Sequence, residues 1–249
     1  MTAKAKKDAA PPGVDKQVKL MLAWLARRGT KKNRDGMARY GIVAPKAFGV
    51  SMGTMRALVK RTQRNHALAL ALWASGWHEA RALASFLDEP GRVTPEQMNA
   101  WAKSFNNWAD CDAACLHLFD KTPHAFAKVA QWSKRREEFV RRGAFALLAA
   151  LALHDRKAPD ATFLRCLPLI EDAASDDRNF VKKGVNWALR AVGERNSALN
   201  APAVKLAERL ANSDERSARW IGKDALRQFK SPASIRRLAL RDKRYLAKG

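Results

Sequence analysis

The sequence predicts an all-α protein, and two observations carry that prediction. Apolar residues recur at spacings of three and four in nearly every segment, which is the period of a buried helix face. The two-residue alternation that marks a half-buried strand does not occur along the chain. We therefore predict about a dozen helices of about 9 to 16 residues, separated by Gly, Pro, Asp and Asn.

The helix predictions begin with the segment DKQVKLMLAWLARR, whose apolar residues share one face and whose expected N-cap is Asp15. The segment TPEQMNAWAKSF has Thr94 as its cap, Pro95 at the first helical position and Gln97 completing a capping box. Further segments show the same pattern, and they are SMGTMRALVKRTQ, NHALALALWASG, WHEARALASFLD, TPHAFAKVAQWS and DATFLRCLPLIED.

The charge is the strongest global signal. The 249 residues include 47 Lys and Arg against 24 Asp and Glu, which gives a net charge of +23. Such a balance on a folded chain is typical of a protein that binds polyanions. Nucleic acid is favoured over an anionic membrane, because the basic residues are spread along the chain instead of forming one basic amphipathic helix. The sequence has no run of 18 apolar residues and no signal-peptide core, so we expect a cytoplasmic protein with no membrane contact.

The cysteines fit a reducing compartment, since three is an odd number and too few for a disulfide scaffold. Cys111 and Cys115 lie one helical turn apart with His117 nearby, which raises the possibility of a metal site. No second group of ligands accompanies them, so we interpret them as small buried thiols and expect neither a metal nor a cofactor.

The predicted domain organisation is one helical domain between two tails. Residues 1–14 form a charged, Pro-interrupted segment that we expect to be disordered. The single helical domain covers residues 15–240, and residues 241–249 form a C-terminal tail.

The helices also repeat. The segments VRRGAFALL, VKKGVNWAL and IGKDALRQF place Arg141, Lys182 and Lys223 41 residues apart, a period in the range of paired-helix HEAT repeats. We predict a curved solenoid of HEAT-like repeats with these basic residues along a concave groove. Alternatively, the basic pairs are solvated helix ends, with Arg141 and Arg142 bound by Glu137 and Glu138 four residues earlier.

The segment NWADCDAAC departs from the basic character of the chain, because residues 104–120 contain no Lys or Arg. Trp108 and Asp112 are four residues apart and so share a helix face, and Asp112 has no basic partner within its own helix. Such an aspartate is either a helix cap or a catalytic carboxylate. The cap interpretation stays open because a helix could start at Asp110.

Four features occur in order along the chain: MARYG at 37–41, Trp108-x-x-x-Asp112, VRRGAFALL and VKKGVNWALR. Together they resemble the AlkD-like DNA glycosylases, which are HEAT-repeat proteins of the DNA alkylation repair family. The similarity runs from about residue 15 to about residue 230. It implies hydrolysis of the N-glycosidic bond of cationic N3- and N7-alkylated purines, such as 3-methyladenine and 7-methylguanine, without base flipping and leaving an abasic site. It also implies that the partner is double-stranded DNA with alkylated bases, and we expect a monomer.

Carried over by residue, the resemblance implies that Asp112 is the catalytic carboxylate and that Trp108 and Trp187 are the active-site tryptophans. The tyrosine that closes the cleft falls on Tyr40. The phosphate-facing arginine falls on Arg142, with Arg141 as the alternative because the span from Asp112 is shorter than in the family. The remaining residues expected to hold phosphates are Lys182 and Lys183.

The implied chemistry suits these residue types. An alkylated purine is already cationic and leaves readily, whereas the sugar develops positive charge that a fixed carboxylate stabilises. The interaction of a tryptophan face with such a cation contributes about 1–2 kcal/mol of stabilisation. The other six tryptophans are expected in the core, and they are Trp24, Trp73, Trp77, Trp101, Trp132 and Trp220.

Two other classes of protein remain open. A HEAT-repeat scaffold that binds nucleic acid or an acidic protein without catalysis explains the charge and the repeats but not the Trp108–Asp112 pair. An RNA-modifying or ribosome-associated protein shares the charge, but the sequence carries no recognisable RNA-binding motif. Release of a free base from methylated duplex DNA separates these classes from a glycosylase.

Overall fold

The computed structural model describes residues 13–246 and is helical throughout that range, with no β-strand among those residues. Short 3-10 helices occur at Pro90–Arg92 and Phe119–Lys121. The α-helices are α1 (Val14–Arg28), α2 (Lys31–Arg39), α3 (Met52–Val59), α4 (His66–Ala74), α5 (His78–Leu87), α6 (Pro95–Lys103), α7 (Trp108–His117), α8 (Ala125–Trp132), α9 (Glu138–His154), α10 (Asp160–Leu164), α11 (Leu167–Ala173), α12 (Asn179–Gly193), α13 (Ser197–Ala211), α14 (Arg216–Phe229) and α15 (Pro232–Leu246). The all-α prediction is confirmed. No described helix is long and apolar enough to cross a membrane.

Local capping signals set several helix starts. The Thr94 hydroxyl accepts the backbone N–H of Gln97 at 3.2 Å, and Pro95 begins α6 as predicted. The predicted cap of α1 is wrong, because the N-cap is Gly13 and Asp15 lies in the first helical turn. An acidic residue there still interacts favourably with the positive end of the helix.

The chain forms two compact units. The first contains the described residues up to Tyr40 together with Ala44–Asp88, and the second contains Gly41–Val43 and the described residues from Glu89 onward. The single domain over 15–240 stays a prediction. Residues 1–12 of the predicted N-terminal tail lie outside the described residues, and α15 continues to Leu246, into the segment expected as the C-terminal tail.

In the first unit, a buried carboxylate fixes the segment before α3. Glu79 is 1% exposed, and its oxygens accept the backbone N–H groups of Phe48, Gly49 and Val50 at 3.0, 2.7 and 3.1 Å. Gly49 has φ of 81°, and a Cβ there would lie 2.3 Å from the carbonyl oxygen of Thr30, so only glycine allows this approach.

In the second unit, α7 and α9 lie side by side and parallel. The thiol of Cys111 is 3.6 Å from the carbonyl oxygen of Phe139, and that of Cys115 is 3.5 Å from the carbonyl oxygen of Gly143. Both helices advance by four residues between these contacts, so they run in the same direction. The two cysteines are buried packing residues, and none of the described residues forms a group of three or more metal-ligating side chains.

The same parallel arrangement joins α9 to α12 and α12 to α14. Gly184 of α12 allows close packing on α9, since a Cβ there would lie 3.4 Å from Cγ of Arg142 and 3.6 Å from Cβ of Phe145. Between α12 and α14, contacts recur every four residues on both helices, and they are Lys182–Trp220, Asn186–Asp224 and Arg190–Gln228.

Residues of these four helices can be compared by counting from the N-cap of each helix. Their N-caps are Asn107, Glu137, Arg178 and Glu215. The fifth residue after each cap forms what we call the fifth-position row, which consists of Asp112, Arg142, Lys183 and Trp220.

The 41-residue spacing holds from α9 to α12, whereas the caps of α12 and α14 are 37 residues apart. Lys223 therefore lies one turn further along its helix than Lys182, and the residue of α14 equivalent to Arg141 and Lys182 is Arg219.

Candidate active site

Helix α7 positions the two residues that the sequence singled out. Asn107 caps this helix through its side-chain oxygen, which accepts the N–H groups of Ala109 and Asp110 at 2.9 and 3.0 Å. Trp108 is the first helical residue, and Asp112 follows one turn later in the middle of the helix. The interpretation of Asp112 as a helix cap is therefore wrong.

The carboxylate of Asp112 is bound on both oxygens by Arg142 of α9. The Nε of Arg142 donates to Oδ1 at 2.9 Å, and its Nη2 donates to Oδ2 at 2.7 Å. The remaining nitrogen, Nη1, donates to the carbonyl oxygen of Phe180 at 2.8 Å. The guanidinium thus connects α7, α9 and α12, and it holds Asp112 in one orientation.

Trp108 completes this group. Its ring centroid lies 5.9 Å from the guanidinium carbon of Arg142, within range of a cation–π interaction. The side chains of Asp112 and Arg142 keep 14% and 8% of their surface exposed. We call Trp108, Asp112 and Arg142 the Asp112 cluster; it is a rigid ion pair with an edge open to solvent beside an indole.

Burial and charge oppose each other in this pair. Burial raises the pKa of the Asp112 carboxyl above its ordinary value, and the charge and hydrogen bonds of Arg142 act against that rise. Burial acts to lower the pKa of Arg142, but the Asp112 carboxylate prevails and raises it. The bidentate geometry matches an ionised pair at neutral pH.

Arg141 lies in a different ion-pair group. Its Nη1 donates to Oδ2 of Asp176 at 3.0 Å, and Arg178 donates to both oxygens of the same carboxylate at 2.9 and 2.6 Å. The backbone carbonyl of Asp176 also accepts the hydroxyl of Ser217 at 2.8 Å. Asp176 thereby connects the first turns of α9, α12 and α14.

The local salt-bridge interpretation of the VRRG segment is wrong. Glu137 binds Arg135 instead of Arg141. Arg141 and Arg142 each bind a carboxylate from outside their own helix.

The other predicted site residues are more exposed. Lys183 is exposed on α12, and Nζ of Lys182 lies 5.2 Å from the ring centroid of Trp220. Trp187 is half-buried on α12, three residues after Gly184, the glycine against which Arg142 packs. Tyr40 is 73% exposed at the C-cap of α2, in the first unit.

The tryptophans assigned to the core divide into three groups. Trp73, Trp101 and Trp132 are buried, and Trp24 and Trp77 are half-buried. The prediction for Trp220 is wrong, because this residue is 40% exposed. A signal was present in the sequence: Arg216 and Lys223 lie four residues before and three residues after Trp220, so the indole falls on the charged face of α14.

Comparisons with known proteins identify the family and the fold of the chain. A family model described as DNA alkylation repair enzyme matches residues 21–229. One solved structure, described as a new family of proteins related to the HEAT-like repeat DNA glycosylases with affinity for branched DNA structures, has the same fold, with a TM-score of 0.70 at 18% identity over 84% of this chain and 94% of that chain. A search of curated proteins gave no match. With the family model covering most of its length, the chain belongs to the DNA alkylation repair enzyme family.

Proposed function

We propose that this protein is a glycosylase that hydrolyses the N-glycosidic bond of cationic N3- and N7-alkylated purines in duplex DNA. The observation that carries the proposal is the Asp112 cluster, in which a carboxylate is fixed by two charge-assisted hydrogen bonds beside a tryptophan. The family match and the net charge of +23 support a DNA substrate.

In this reaction water replaces the base at the anomeric carbon, and the alkylated purine leaves as a neutral base. The positive charge of the purine passes to the sugar as the bond breaks, so no strong acid is needed. Asp112 stabilises the sugar cation and accepts a proton from the attacking water, while Trp108 and Trp187 offer aromatic faces. A carboxylate already held in place needs no reorganisation during the reaction, an advantage commonly amounting to about 3 kcal/mol.

Arg142 gains a second role from its geometry. Three of its N–H groups bind Asp112 and Phe180, and a guanidinium carries five. We propose that the two remaining N–H groups bind a DNA phosphate through the 8% of this side chain that stays exposed. Arg142 would then orient the catalytic carboxylate relative to the backbone of the DNA.

The test is release of 7-methylguanine or 3-methyladenine from alkylated duplex DNA. We expect Asp112→Asn to lose at least about a hundredfold in excision rate, because asparagine carries no charge to offset the sugar cation. Its DNA binding should be unchanged or tighter, since a charge that repels phosphates is removed. The matched control is Asp176→Asn, which removes another arginine-bound carboxylate and should retain excision.

Two results would count against the proposal. Normal turnover by Asp112→Asn would mean that another residue is the catalytic carboxylate. An absence of base release by the unaltered protein would favour DNA binding without catalysis.

That second candidate, a DNA-binding protein without glycosylase activity, has one observation in its favour. Arg142 compensates the charge of Asp112, so the pair has little net charge to offer a sugar cation. The solved structure with the same fold is described as related to the glycosylases and as having affinity for branched DNA structures. Binding of duplex DNA without base release would establish this candidate.

A further inference from the structure

Helix α14 presents one exposed tryptophan on a basic face. Its other face is buried and includes Ile221, Ala225 and Phe229. The residues on the exposed face recur at helical spacing, and they are Arg216, Trp220, Lys223 and Arg227. Trp220 keeps 40% of its surface exposed, while Lys182 of α12 lies over its ring.

The surroundings of Trp220 are also basic on the neighbouring helix. Nζ of Lys182 lies 5.2 Å from the indole centroid, and Lys183 is exposed at the same level of α12. Asp224, one turn beyond Trp220, is bound by Asn186 and Arg227. The acidic residues Asp214 and Glu215 precede the helix.

We propose that Trp220 is a stacking platform for an unpaired base of DNA, and that Lys182, Lys183 and Lys223 hold the phosphates on either side of that nucleotide. An exposed indole among cations suits a ligand that is both flat and anionic, and single-stranded DNA supplies both features in every nucleotide. Paired bases are stacked on their neighbours within the duplex and present no free face to an indole. The platform therefore distinguishes DNA with unpaired nucleotides from intact duplex.

The platform is separate from the Asp112 cluster. In the fifth-position row, α9 and α12 lie between α7 and α14, so Trp220 and Asp112 are three helix spacings apart. At about 8–10 Å for each spacing, the two sites are at most about 30 Å apart, and they share no side chain. Binding at Trp220 does not require the proposed excision reaction, and unmethylated DNA tests it independently.

The experiment compares two unmethylated DNAs of the same length and sequence, one fully paired and one with a central single-stranded gap. We expect Trp220→Leu, which keeps apolar bulk without an aromatic face, to weaken binding of the gapped DNA at least about fivefold. Its dissociation constant for the intact duplex should change less than about twofold. Trp220→Phe should recover much of the loss, because a phenyl ring still stacks on a base.

Two controls separate stacking from other effects. Lys205→Ala removes an exposed lysine from α13, outside the proposed platform, and should affect both DNAs little. The unfolding midpoint of each variant shows whether the fold is intact. An equal loss for both DNAs in Trp220→Leu, or no loss for either, would overturn the proposal. Loss of self-association with unchanged DNA binding would also overturn it and would assign Trp220 to a contact between copies of the protein.

Discussion

Arg142 binds both carboxylate oxygens of Asp112, from a helix whose N-cap lies 30 residues after that of the helix carrying the aspartate. The pair joins two functions proposed for separate residues, since Asp112 is the expected catalyst and Arg142 the expected phosphate contact. A change at either residue therefore alters the pKa and the orientation of the other side chain, and it also alters the stability of the protein.

Arg142→Ala should destabilise the protein in a pH-dependent way. Burial raises the pKa of Asp112, and removing Arg142 removes the charge that opposes this rise. The folded protein then holds the Asp112 proton more tightly than the unfolded chain does. That contribution to stability is fully present below the unfolded pKa of about 3.9 and is lost as the pH rises through the folded value. We expect a loss of about 3 kcal/mol in the free energy of unfolding at pH 7 that decreases as the pH is lowered through the raised pKa. Urea unfolding at a series of pH values measures it, and a loss that does not change with pH would contradict the prediction.

Asp176→Asn should destabilise the protein with a different pH window. Burial acts to raise the pKa of Asp176. The hydrogen bonds and the charge of Arg178, together with the charge of Arg141, outweigh burial, so the pKa is lowered. Stability from this group is present above the unfolded pKa and is lost only as the pH falls through the lower folded value. The loss, about 2 kcal/mol by urea unfolding, should therefore be the same at pH 7 and pH 5. A loss that shrinks between these two pH values would contradict a lowered pKa for Asp176.

Changing Lys182 and Lys183 together to Ala should weaken duplex DNA binding without unfolding the protein. Surface substitutions of this kind change the free energy of unfolding by less than about 0.5 kcal/mol. Removing two phosphate contacts should also reduce the steepness of the salt dependence by about two. Titrations of labelled duplex at several salt concentrations measure both effects, with Lys205→Ala as a control that removes one exposed lysine from another helix. An unchanged dissociation constant would place the DNA on another surface.

Duplex binding by the unaltered protein should be strongly sensitive to salt and weakly sensitive to sequence. If about five phosphates are contacted, the logarithm of the binding constant should fall against the logarithm of the salt concentration with a slope near −4 to −5. The same titration on two unrelated duplexes measures sequence preference. A nearly flat salt dependence would contradict an electrostatic interface.

The sequence predicted what depends on neighbours along the chain. The cap of α6 and the shared face of Trp108 and Asp112 are set within one or two turns, so spacing and residue type are sufficient to identify them. The sequence also contains the information needed to predict that Trp220 is exposed, because its charged neighbours at helical spacing lie on the outer face of α14. The size of this tryptophan favours the core, but its position on the charged face of α14 places it at the surface.

The partner of Asp112 could not be found in this way. No Lys or Arg lies within residues 104–120, and Arg142 reaches the carboxylate only because α7 and α9 pack in parallel. The spacing of Arg141, Lys182 and Lys223 was misleading for a related reason. A shorter connection before α14 shifts its register by four residues, which a fixed period in the sequence does not reveal.

The fifth-position row has an evolutionary consequence. One location on a repeated backbone carries an acid, a guanidinium, an amine and an indole in four successive helices. Lys183 and Trp220 are exposed, so each can be exchanged while the helix beneath it keeps its packing residues, whereas Asp112 and Arg142 are largely buried and depend on each other. A duplicated gene could therefore change its contacts to DNA at the last two helices of the row long before it lost the ion pair of the first two.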